Sequence, residues 1–364
     1  MSEGKKRLAT VDALKGLAIL CIVSYHLLAP CAVKTLTMQA GETMLMLFFF
    51  CSGYFYKPGK RTIGENIRNR LKATMIPFVG YALLFWLIGS VWMVAAGTES
   101  MMEAIWCLRN FFGGCIWNRV IQGWFGWEYH NLGSRYPFLA DFWFLLALLL
   151  ASMLFFLIAD RVLSSRGKTL ASAAVLLAVT GVLQALHVDL PYNLQLIPFW
   201  TVFLLLGAMA GQMKLIENPP LTGAKGWVAG ILSLAAGIAI CMAKEPCINV
   251  FRGSFGGNEV VQMLLCTAAS LLVIFGLAMI CRLAEEAGVR MKELAWLGSH
   301  SMTMYIWHMF LAWIMCNITG FSMRYPATAD AGLVLKSVLL TAVCLLLCIL
   351  LAIAEERLKA RRKG

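Results

Sequence analysis

The chain has 364 residues, of which 60% are hydrophobic and 14% are charged, and its formal net charge at pH 7 is +12. Soluble domains are about 45–50% apolar and about 25% charged, so this chain has too little polar surface to coat a water-soluble globule. The composition excludes a soluble globular protein and predicts an all-α polytopic membrane protein.

Ten runs of mostly apolar residues are long enough to cross a bilayer as helices. The first run follows a basic flank, but no small-residue cleavage site comes after it, so it is predicted to be a retained helix. No fixed-period repeat or long linker interrupts the series, which predicts one transmembrane domain over residues 1–364. The predicted spans are residues 9–29, 38–56, 73–96, 139–159, 169–187, 193–212, 226–243, 259–281, 294–317 and 331–354.

Three ionisable residues stand out in the first span, VDALKGLAILCIVSYHLLAP. Lys15 and His26 are eleven residues apart, which returns to within about 20° of the same helix face, and Asp12 precedes Lys15 by about one turn. Such a face borders a polar cavity or other helices rather than lipid. Two interpretations stay open for Asp12 and Lys15: an interfacial pair in which Lys15 snorkels, or a functional pair. For His26, deep in the span, function is favoured.

A basic run lies between the second and third spans and contains Lys57, Lys60, Arg61, Arg68, Arg70 and Lys72. Two explanations suit such a run: the usual excess of basic residues in cytoplasmic loops, and the binding of an anionic cosubstrate that arrives from the cytoplasm. The longest non-spanning segment, Gly97 to Pro137, is rich in Trp and Gly and is predicted to be a structured or interfacial loop.

The ninth span contains the segment LGSHSMTMYIWHMFLAW. Ser301, Tyr305 and His308 are spaced i, i+4 and i+7 and therefore share one helix face. If the span enters the bilayer near Leu294, His308 reaches the same depth as His26, from the opposite end of the chain. His300 is shallower and is predicted to cap the helix or to snorkel.

The distribution of basic residues orients the predicted helices. With the N-terminus inside, 22 Lys and Arg residues fall on the cytoplasmic side and 7 on the outer side, while Lys15 and Lys336 lie within spans. This bias predicts that both termini are cytoplasmic. It also accounts for the net positive charge without nucleic acid, for which no binding motif is present.

Six segments in chain order resemble motifs of the membrane-bound acyltransferase-3 family, and together they cover about residues 7–310. The lysine-x10-histidine pattern resembles the family's Arg/Lys-x10-His signature, and FFFCSGY resembles its FF-x-SG segment. The segment IRNRLKATMIPF resembles the basic run and proline that open the family's third helix, and DFWFLLALL resembles its WFL segment. FLLLGAMAGQ resembles its glycine-containing helix end, and LGSHSMTMYIWH resembles its LG-x-x-S-x-x-x-Y-x-x-H motif. Lys15 stands where most relatives have arginine, although a sugar O-acetylase-like branch has lysine. Met44 and Met46 stand where many relatives have a polar residue.

The resemblance implies transfer of an acyl group, usually acetyl from acetyl-CoA, to a hydroxyl of a carbohydrate or another cell-envelope acceptor. It also implies a multi-pass protein of a bacterial-type cytoplasmic (inner) membrane. Attack of a hydroxyl on a thioester needs a general base with a pKa near neutrality, for which histidine is the default residue, and it needs donors or positive charge for the oxyanion. No metal is expected.

The resemblance also distributes the roles among residues. His26 is the expected base or proton relay. Lys15 orients the donor or holds Asp12, and Tyr305 or His308 completes the polar wall; which histidine is the base stays open. The residues expected to bind the donor are Arg68, Arg70, Lys72, Ser52 and Trp143. For Trp143, anchoring at the membrane interface is the alternative role.

A proton-coupled secondary transporter is the main alternative function. Ten helices, buried Lys and His residues and a basic inner face suit a carrier as well. The absence of two corresponding halves with broken helices weighs against a carrier. Nothing in the sequence favours a third possibility, a scaffold subunit for envelope assembly.

Overall fold

The computed structural model describes residues 9–28, 34–112, 136–244, 248, 253–321 and 330–361. Nearly all of them are helical, and the all-α membrane protein predicted from composition is confirmed. The helices are α1 (Ala9–Leu28), α2 (Lys34–Tyr54), α3 (Ile63–Ala95), α4 (Met101–Phe112), α5 (Pro137–Ala140), α6 (Trp143–Val162), α7 (Arg166–Ala185), a 3-10 turn (Pro191–Leu196), α8 (Ile197–Gln212), α9 (Gly223–Lys244), α10 (Glu259–Glu286), α11 (Lys292–Ser299), α12 (Ser301–Thr319) and α13 (Ala331–Arg361).

Within these described ranges, eight helices are long and apolar enough to cross a membrane, compared with ten predicted spans. They are α1, α3, α6, α7, α8 with the turn before it, α9, α10 and α13. The other two predicted spans are also helical. The second lies within α2 (Lys34–Tyr54), in which Thr43–Tyr54 is an apolar stretch, and the ninth is interrupted.

The third helix starts ten residues before the predicted position. It begins at Ile63 because the side chain of Thr62 accepts a hydrogen bond from the backbone of Glu65 (3.2 Å), and the Glu65 carboxylate accepts one from the backbone of Thr62 (2.9 Å). This reciprocal capping box fixes the helix start. Pro77 lies inside the helix without ending it. The last residues of the basic run therefore occupy helical turns rather than a loop.

The ninth predicted span, residues 294–317, is wrong as one continuous helix. The chain leaves helical geometry at His300 (φ −108°, ψ 11°), which separates α11 from α12. The segment from Gly97 to Pro137, predicted as a loop, contains helix α4, whose Ala104 carbonyl accepts a hydrogen bond from the Trp86 indole (2.8 Å). The remainder of that segment, residues 113–135, lies outside the described residues.

The chain forms two compact units, each of which gathers segments that are distant in sequence. The first comprises Met1–Ser52, Ala210–Cys247 and Leu264–Gly364. In it α1 packs against α11, α12 and α13, and most of its apolar side chains are buried. Ser337 of α13 donates a hydrogen bond to the carbonyl of Leu27, which joins α13 to the end of α1.

The second unit comprises Gly53–Met209 and Ile248–Met263. Its main contact is between α3 and α6, and aromatic side chains fill its core: the Phe78 ring lies 5.4 Å from that of Phe111 and 5.9 Å from that of Phe142. Offset and edge-on packing of this kind stabilises cores beyond the burial of apolar area alone.

Candidate active site

The first polar group of the site lies near the start of α1. The Lys15 Nζ atom is 2.6 Å from a carboxylate oxygen of Asp12, and the two side chains are 23% and 8% exposed. Residues three apart are neighbours on a helix surface, so the pair needs no distortion of α1. The structure therefore pairs the ammonium group with a nearly buried carboxylate, which restrains Lys15 in one position.

This part of α1 is fixed by direct backbone contact with α11. A Cβ atom on Gly298 would lie 2.7 Å from the carbonyl carbon of Asp12 and 2.8 Å from the backbone nitrogen of Gly16. A Cβ atom on Gly16 would lie 2.9 Å from the carbonyl carbon of Leu294. Helices approach this closely only where glycine leaves the backbone bare. The crossing thus sets the position of the Asp12–Lys15 pair relative to α11.

His300 occupies the junction between α11 and α12. Its Nδ1 atom is 2.9 Å from the carbonyl oxygen of Trp296 and 3.0 Å from the hydroxyl of Ser299, and its ring centre is 4.3 Å from that of Trp296. The Trp296 carbonyl also accepts from the backbone nitrogen of His300 (3.2 Å) and from the Ser299 hydroxyl (2.8 Å). His300 thus stands at the cap position between the two helices, but its side chain makes no cap hydrogen bond to α12.

The two remaining membrane histidines lie side by side. The ring centres of His26 on α1 and His308 on α12 are 5.1 Å apart, and the rings are inclined by 44°. His308 is 1% exposed. The sequence predicted a similar depth for these two residues, and in the structure their rings lie next to each other. The imidazoles form a compact group of two bases within otherwise apolar helices.

Tyr305 contributes to this group in two ways. Its ring centre is 5.7 Å from that of His308, and its backbone carbonyl oxygen is 2.6 Å from His308 Nδ1. A carbonyl oxygen can only accept a hydrogen bond, so His308 Nδ1 is the donor. The i, i+3 spacing within α12 makes this contact local.

A further support for His308 comes from α13, and the sequence analysis missed it. The Cys344 thiol donates to the carbonyl oxygen of His308 (3.5 Å), and the Cys348 thiol lies 4.0 Å from the carbonyl of Met304, one turn earlier. Both cysteines are buried. Their i, i+4 spacing was the available signal, since it places both thiols on one face of α13.

The Asp12–Lys15 pair and His26, which contacts His308, lie at different heights along α1. Eleven residues of α-helix correspond to about 16 Å along the axis. One small reacting group cannot touch both at once. A donor molecule with an extended arm can meet both, because the two places lie on the same helix face.

Ser52 and Gly53 close the FF-x-SG segment at the end of α2. Ser52 is exposed, whereas Phe49 and Cys51 before it are buried. A Cβ atom on Gly53 would lie 2.8 Å from the carbonyl carbon of Leu204 and 2.9 Å from its Cα. Close backbone packing therefore explains the glycine of this segment, while Ser52 keeps an accessible hydroxyl.

The structure separates the two arginines that the sequence analysis grouped. Arg70 Nε donates to the hydroxyl of Ser152 on α6 (3.0 Å), and that hydroxyl donates in turn to the carbonyl of Leu148 (2.5 Å). Arg68 and Lys72 are exposed. Positions two apart on a helix point in nearly opposite directions, whereas positions four apart share a face. Arg68 therefore shares its face with Lys72, and Arg70 is anchored against α6.

Asp160, at the end of α6, is a second residue that the sequence analysis missed. One of its carboxylate oxygens accepts hydrogen bonds from the Tyr56 hydroxyl (2.7 Å) and from the backbone nitrogen of Gly59 (3.2 Å). Burial and the bond to Asp160 raise the pKa of Tyr56 above its ordinary value. Asp160 thereby holds the loop that carries Lys57 and Lys60. An acidic residue at the end of a span within a basic region was the available signal.

Trp143 lies at the start of α6 and is half-buried. Its ring centre is 5.8 Å from that of Trp200 on α8, and the rings are inclined by 37°. Trp200 is almost completely buried. Trp143 therefore packs against a buried aromatic side chain of its own unit.

Residues 8–353 match the protein family described as an acyltransferase domain, which is the acyltransferase-3 family. The match covers nearly the whole chain and includes every residue of the site described above. The chain belongs to the membrane-bound acyltransferase-3 family. No curated protein and no solved structure matches the chain.

Membership in this family makes the protein a membrane acyltransferase, and it favours acyl transfer over the secondary transporter considered as an alternative. Acyl transfer to a hydroxyl requires a base that removes the hydroxyl proton and a group that orients the donor. The acyltransferase has an imidazole pair, of which His308 is buried, that suits the first requirement, and a lysine paired with Asp12 on one of the same helices that suits the second. The roles of the individual residues stay predictions.

Proposed function

We propose that the acyltransferase transfers an acetyl group from acetyl-CoA to a hydroxyl of a carbohydrate or another cell-envelope acceptor at the membrane. The observation that carries this proposal is the pair of imidazoles, His26 and His308, whose centres lie 5.1 Å apart within the membrane helices. Histidine is the side chain whose unperturbed pKa best suits proton transfer near neutral pH. A hydroxyl group, unlike a thiolate, needs such a base before it attacks a thioester.

In the proposed mechanism, His26 accepts the proton of the acceptor hydroxyl while its oxygen attacks the thioester carbon. A new carbon–oxygen bond forms, and the carbon–sulfur bond then breaks. The proton held by His26 passes to the departing CoA sulfur, which leaves as a thiol. Proton transfer by a positioned base contributes about 10²–10⁴-fold to such reactions. Tyr305 and His308 form the wall around this step.

Lys15 and Asp12 are proposed to orient the donor. Lys15 lies about 16 Å and Asp12 about 21 Å along α1 from His26, which is too far for contact with the reacting carbonyl group. Lys15 instead suits the CoA side of the donor, and Asp12 restrains the ammonium group at 2.6 Å. Ser52 is proposed to offer its exposed hydroxyl, and Trp143 an apolar wall, along the donor.

The charged part of CoA is proposed to bind the basic residues at the start of α3. We expect joint replacement of Arg68 and Arg70 by glutamine to raise the apparent KM for acetyl-CoA more than about tenfold, because each charge-assisted contact contributes about 1.5–3 kcal/mol. Arg68 offers an exposed guanidinium, and Arg70 one that is anchored to Ser152. The measurement is initial rate against acetyl-CoA concentration with purified protein.

The matched control is Arg166→Gln, which removes an exposed arginine at the start of α7, outside the basic run. It removes positive charge without removing the proposed phosphate contacts, so its KM should stay near that of the wild type. An unchanged KM in the double variant would assign Arg68 and Arg70 to membrane topology alone. If KM rises in the double variant, the single variants Arg68→Gln and Arg70→Gln show which arginine is responsible for the rise.

We further propose that both termini are cytoplasmic, in a bacterial-type cytoplasmic membrane, as the distribution of 22 basic residues against 7 supports. Gly123, within the loop predicted to lie outside, is not among the described residues. Thr98 is exposed in the same predicted outer segment, and Ser164 is exposed in a predicted inner one. A membrane-impermeant maleimide should label Thr98→Cys in intact cells and Ser164→Cys only after lysis.

Both substitutions replace one small side chain by another at exposed positions, so the folded protein should tolerate them. The wild-type protein, whose described cysteines are buried or half-buried, gives the background signal. Labelling of Ser164→Cys in intact cells, with protection of Thr98→Cys, would reverse the proposed orientation. The donor would then have to arrive from the other side.

The proposed reaction itself is tested with purified protein, labelled acetyl-CoA and an envelope glycan fraction. Label should move from the thioester to the glycan with release of free CoA thiol. A transporter would leave the thioester intact, and that result would contradict the proposal. Mass spectrometry of envelope glycans from cells with and without the protein would then identify the acceptor.

A further inference from the structure

One face of α13 bonds to the backbone next to both histidines. The hydroxyl of Ser337 donates a hydrogen bond to the carbonyl oxygen of Leu27, the residue after His26. Seven residues further along α13, the thiol of Cys344 donates to the carbonyl oxygen of His308 itself (3.5 Å). Positions seven apart differ by only about 20° around a helix, so both donors lie on one side of α13. A single helix therefore holds the two backbone segments that carry the imidazoles.

These bonds form in the interior of the protein. Ser337, Cys344 and Leu27 are each 0% exposed. Leu27 belongs to the last turn of α1, where the carbonyl groups lack a partner within the helix. A buried carbonyl group without a donor is costly, so the bond from the Ser337 hydroxyl stabilises the end of α1 against α13.

The neighbouring residue, Lys336, extends this contact to the end of α12. The sequence places Lys336 inside the last predicted span, where a cation is unusual. Its Nζ atom donates to the carbonyl oxygen of Thr319, the last residue of α12 (2.8 Å), and lies 5.9 Å from the centre of the Phe321 ring. A cation is favoured there because the carbonyl groups give the C-terminal end of a helix a partial negative charge. Lys336 and Ser337 thus hold the ends of α12 and α1 from adjacent positions on α13.

We propose that Ser337 and Cys344 are positioning residues that set the separation of the His26 and His308 imidazoles. Helices α1, α12 and α13 pack against one another in pairs, so the bonds from α13 fix both histidine-bearing helices to one support. The ring centres are thereby held 5.1 Å apart. Both residues act through the histidines and take no part in proton transfer. This inference rests on the proposed function, in which His26 is the base and His308 forms part of the wall around it.

Ser337→Ala and Cys344→Ala each remove one donor without adding volume. We expect Ser337→Ala to lower kcat by about tenfold and the double variant by about 100-fold, because misplacing a reacting group by about 1 Å has an effect of this size. Cys344→Ala alone should have a smaller effect, since a thiol is a weaker donor than a hydroxyl. KM for acetyl-CoA should stay unchanged, because Lys15 lies about 16 Å along α1 from His26. Initial rates with purified protein give both constants.

The matched control is Thr341→Val, which removes another buried hydroxyl from the same face of α13. The Thr341 hydroxyl donates to the carbonyl of Ser337 within α13 (2.8 Å), so its loss leaves the bonds to α1 and α12 in place. Its kcat and KM should stay near the wild-type values. A wild-type kcat in the double variant, an equal loss of kcat in Thr341→Val, or a rise of KM that matches the loss of kcat would each overturn the proposal. Melting curves in detergent show which variants fold, and if Ser337→Ala does not, the comparison of Cys344→Ala with Thr341→Val decides.

Solid-state NMR of histidine-labelled protein in bilayers tests the separation of the two rings without any turnover. The wild type and Thr341→Val should show a correlation between the ring carbon atoms of His26 and His308, assigned by its loss in His26→Gln. This correlation should weaken in the double variant, and an unchanged correlation there would contradict the inference. Absence of acetyl transfer by the wild type would refute the proposed reaction alone, and the NMR comparison would still decide whether α13 positions the two histidines.

Discussion

Replacement of His26 by glutamine is expected to lower the rate of acetyl transfer by about 10²–10⁴-fold, the range that a positioned general base contributes. Glutamine is similar in size and keeps a hydrogen-bonding group next to His308, whose ring centre is 5.1 Å from that of His26. It cannot accept a proton from the acceptor hydroxyl, however. His26→Ala should show a loss of the same order. Binding of acetyl-CoA, measured by calorimetry, should persist in both variants.

The matched control is His187→Gln. His187 is 80% exposed, lies outside α1 and α12, and approaches Glu259 only at 3.5 Å. The same chemical substitution there should leave kcat and KM close to the wild-type values. If His26→Gln transfers acetyl groups at a rate near that of the wild type, His26 is a structural residue, and the mechanism proposed above is incorrect.

Replacement of Gly298 by alanine is expected to have the largest effect on folding. The new methyl group would lie 2.7 Å from the carbonyl carbon of Asp12 and 2.8 Å from the backbone nitrogen of Gly16. Neither backbone atom can move without separating α1 from α11. Overpacking in a well-filled core costs about 1–3 kcal/mol, and a clash with backbone belongs at or above the upper end of that range. We expect a lower melting temperature in detergent and a smaller monodisperse fraction.

Gly80→Ala is the matched control for this effect. Gly80 lies inside α3, and a Cβ atom added there meets no other atom within 4 Å. Alanine favours a helix interior over glycine by about 0.5–1 kcal/mol, so Gly80→Ala should keep or raise the melting temperature. If Gly298→Ala melts at the wild-type temperature, the close crossing of α1 and α11 does not exist in the folded protein.

Part of the candidate site was predictable because it depends on the geometry of single helices. Eleven residues between Lys15 and His26 fix their shared face, and the spacing of Tyr305 and His308 does the same in α12. Equal distance from the predicted start of each span was enough to bring His26 and His308 to one depth. The start of α3 was also readable in principle, since TIGE at residues 62–65 is a capping-box pattern.

Other features depend on which atoms of neighbouring helices come into contact. The spacing of Asp12 and Lys15 allowed either a pair or two independent groups, and only the structure shows the pair at 2.6 Å. The basic run did not reveal that Arg70 binds Ser152 whereas Arg68 is exposed. Likewise, no pattern in the sequence distinguished a continuous ninth span from two helices that meet at His300.

The sequence by itself determined the class of the protein, the position of most helices, the family and the residue types that carry the chemistry. Each of these follows from composition, from hydrophobic run length or from spacing along one helix, all of which are local properties. The tertiary structure decided which nitrogen of His308 donates, how Lys15 is held and where α1 and α11 touch. These depend on the rotation and close approach of separate helices, which glycine backbones such as Gly16 and Gly298 permit but which spacing along one helix does not specify.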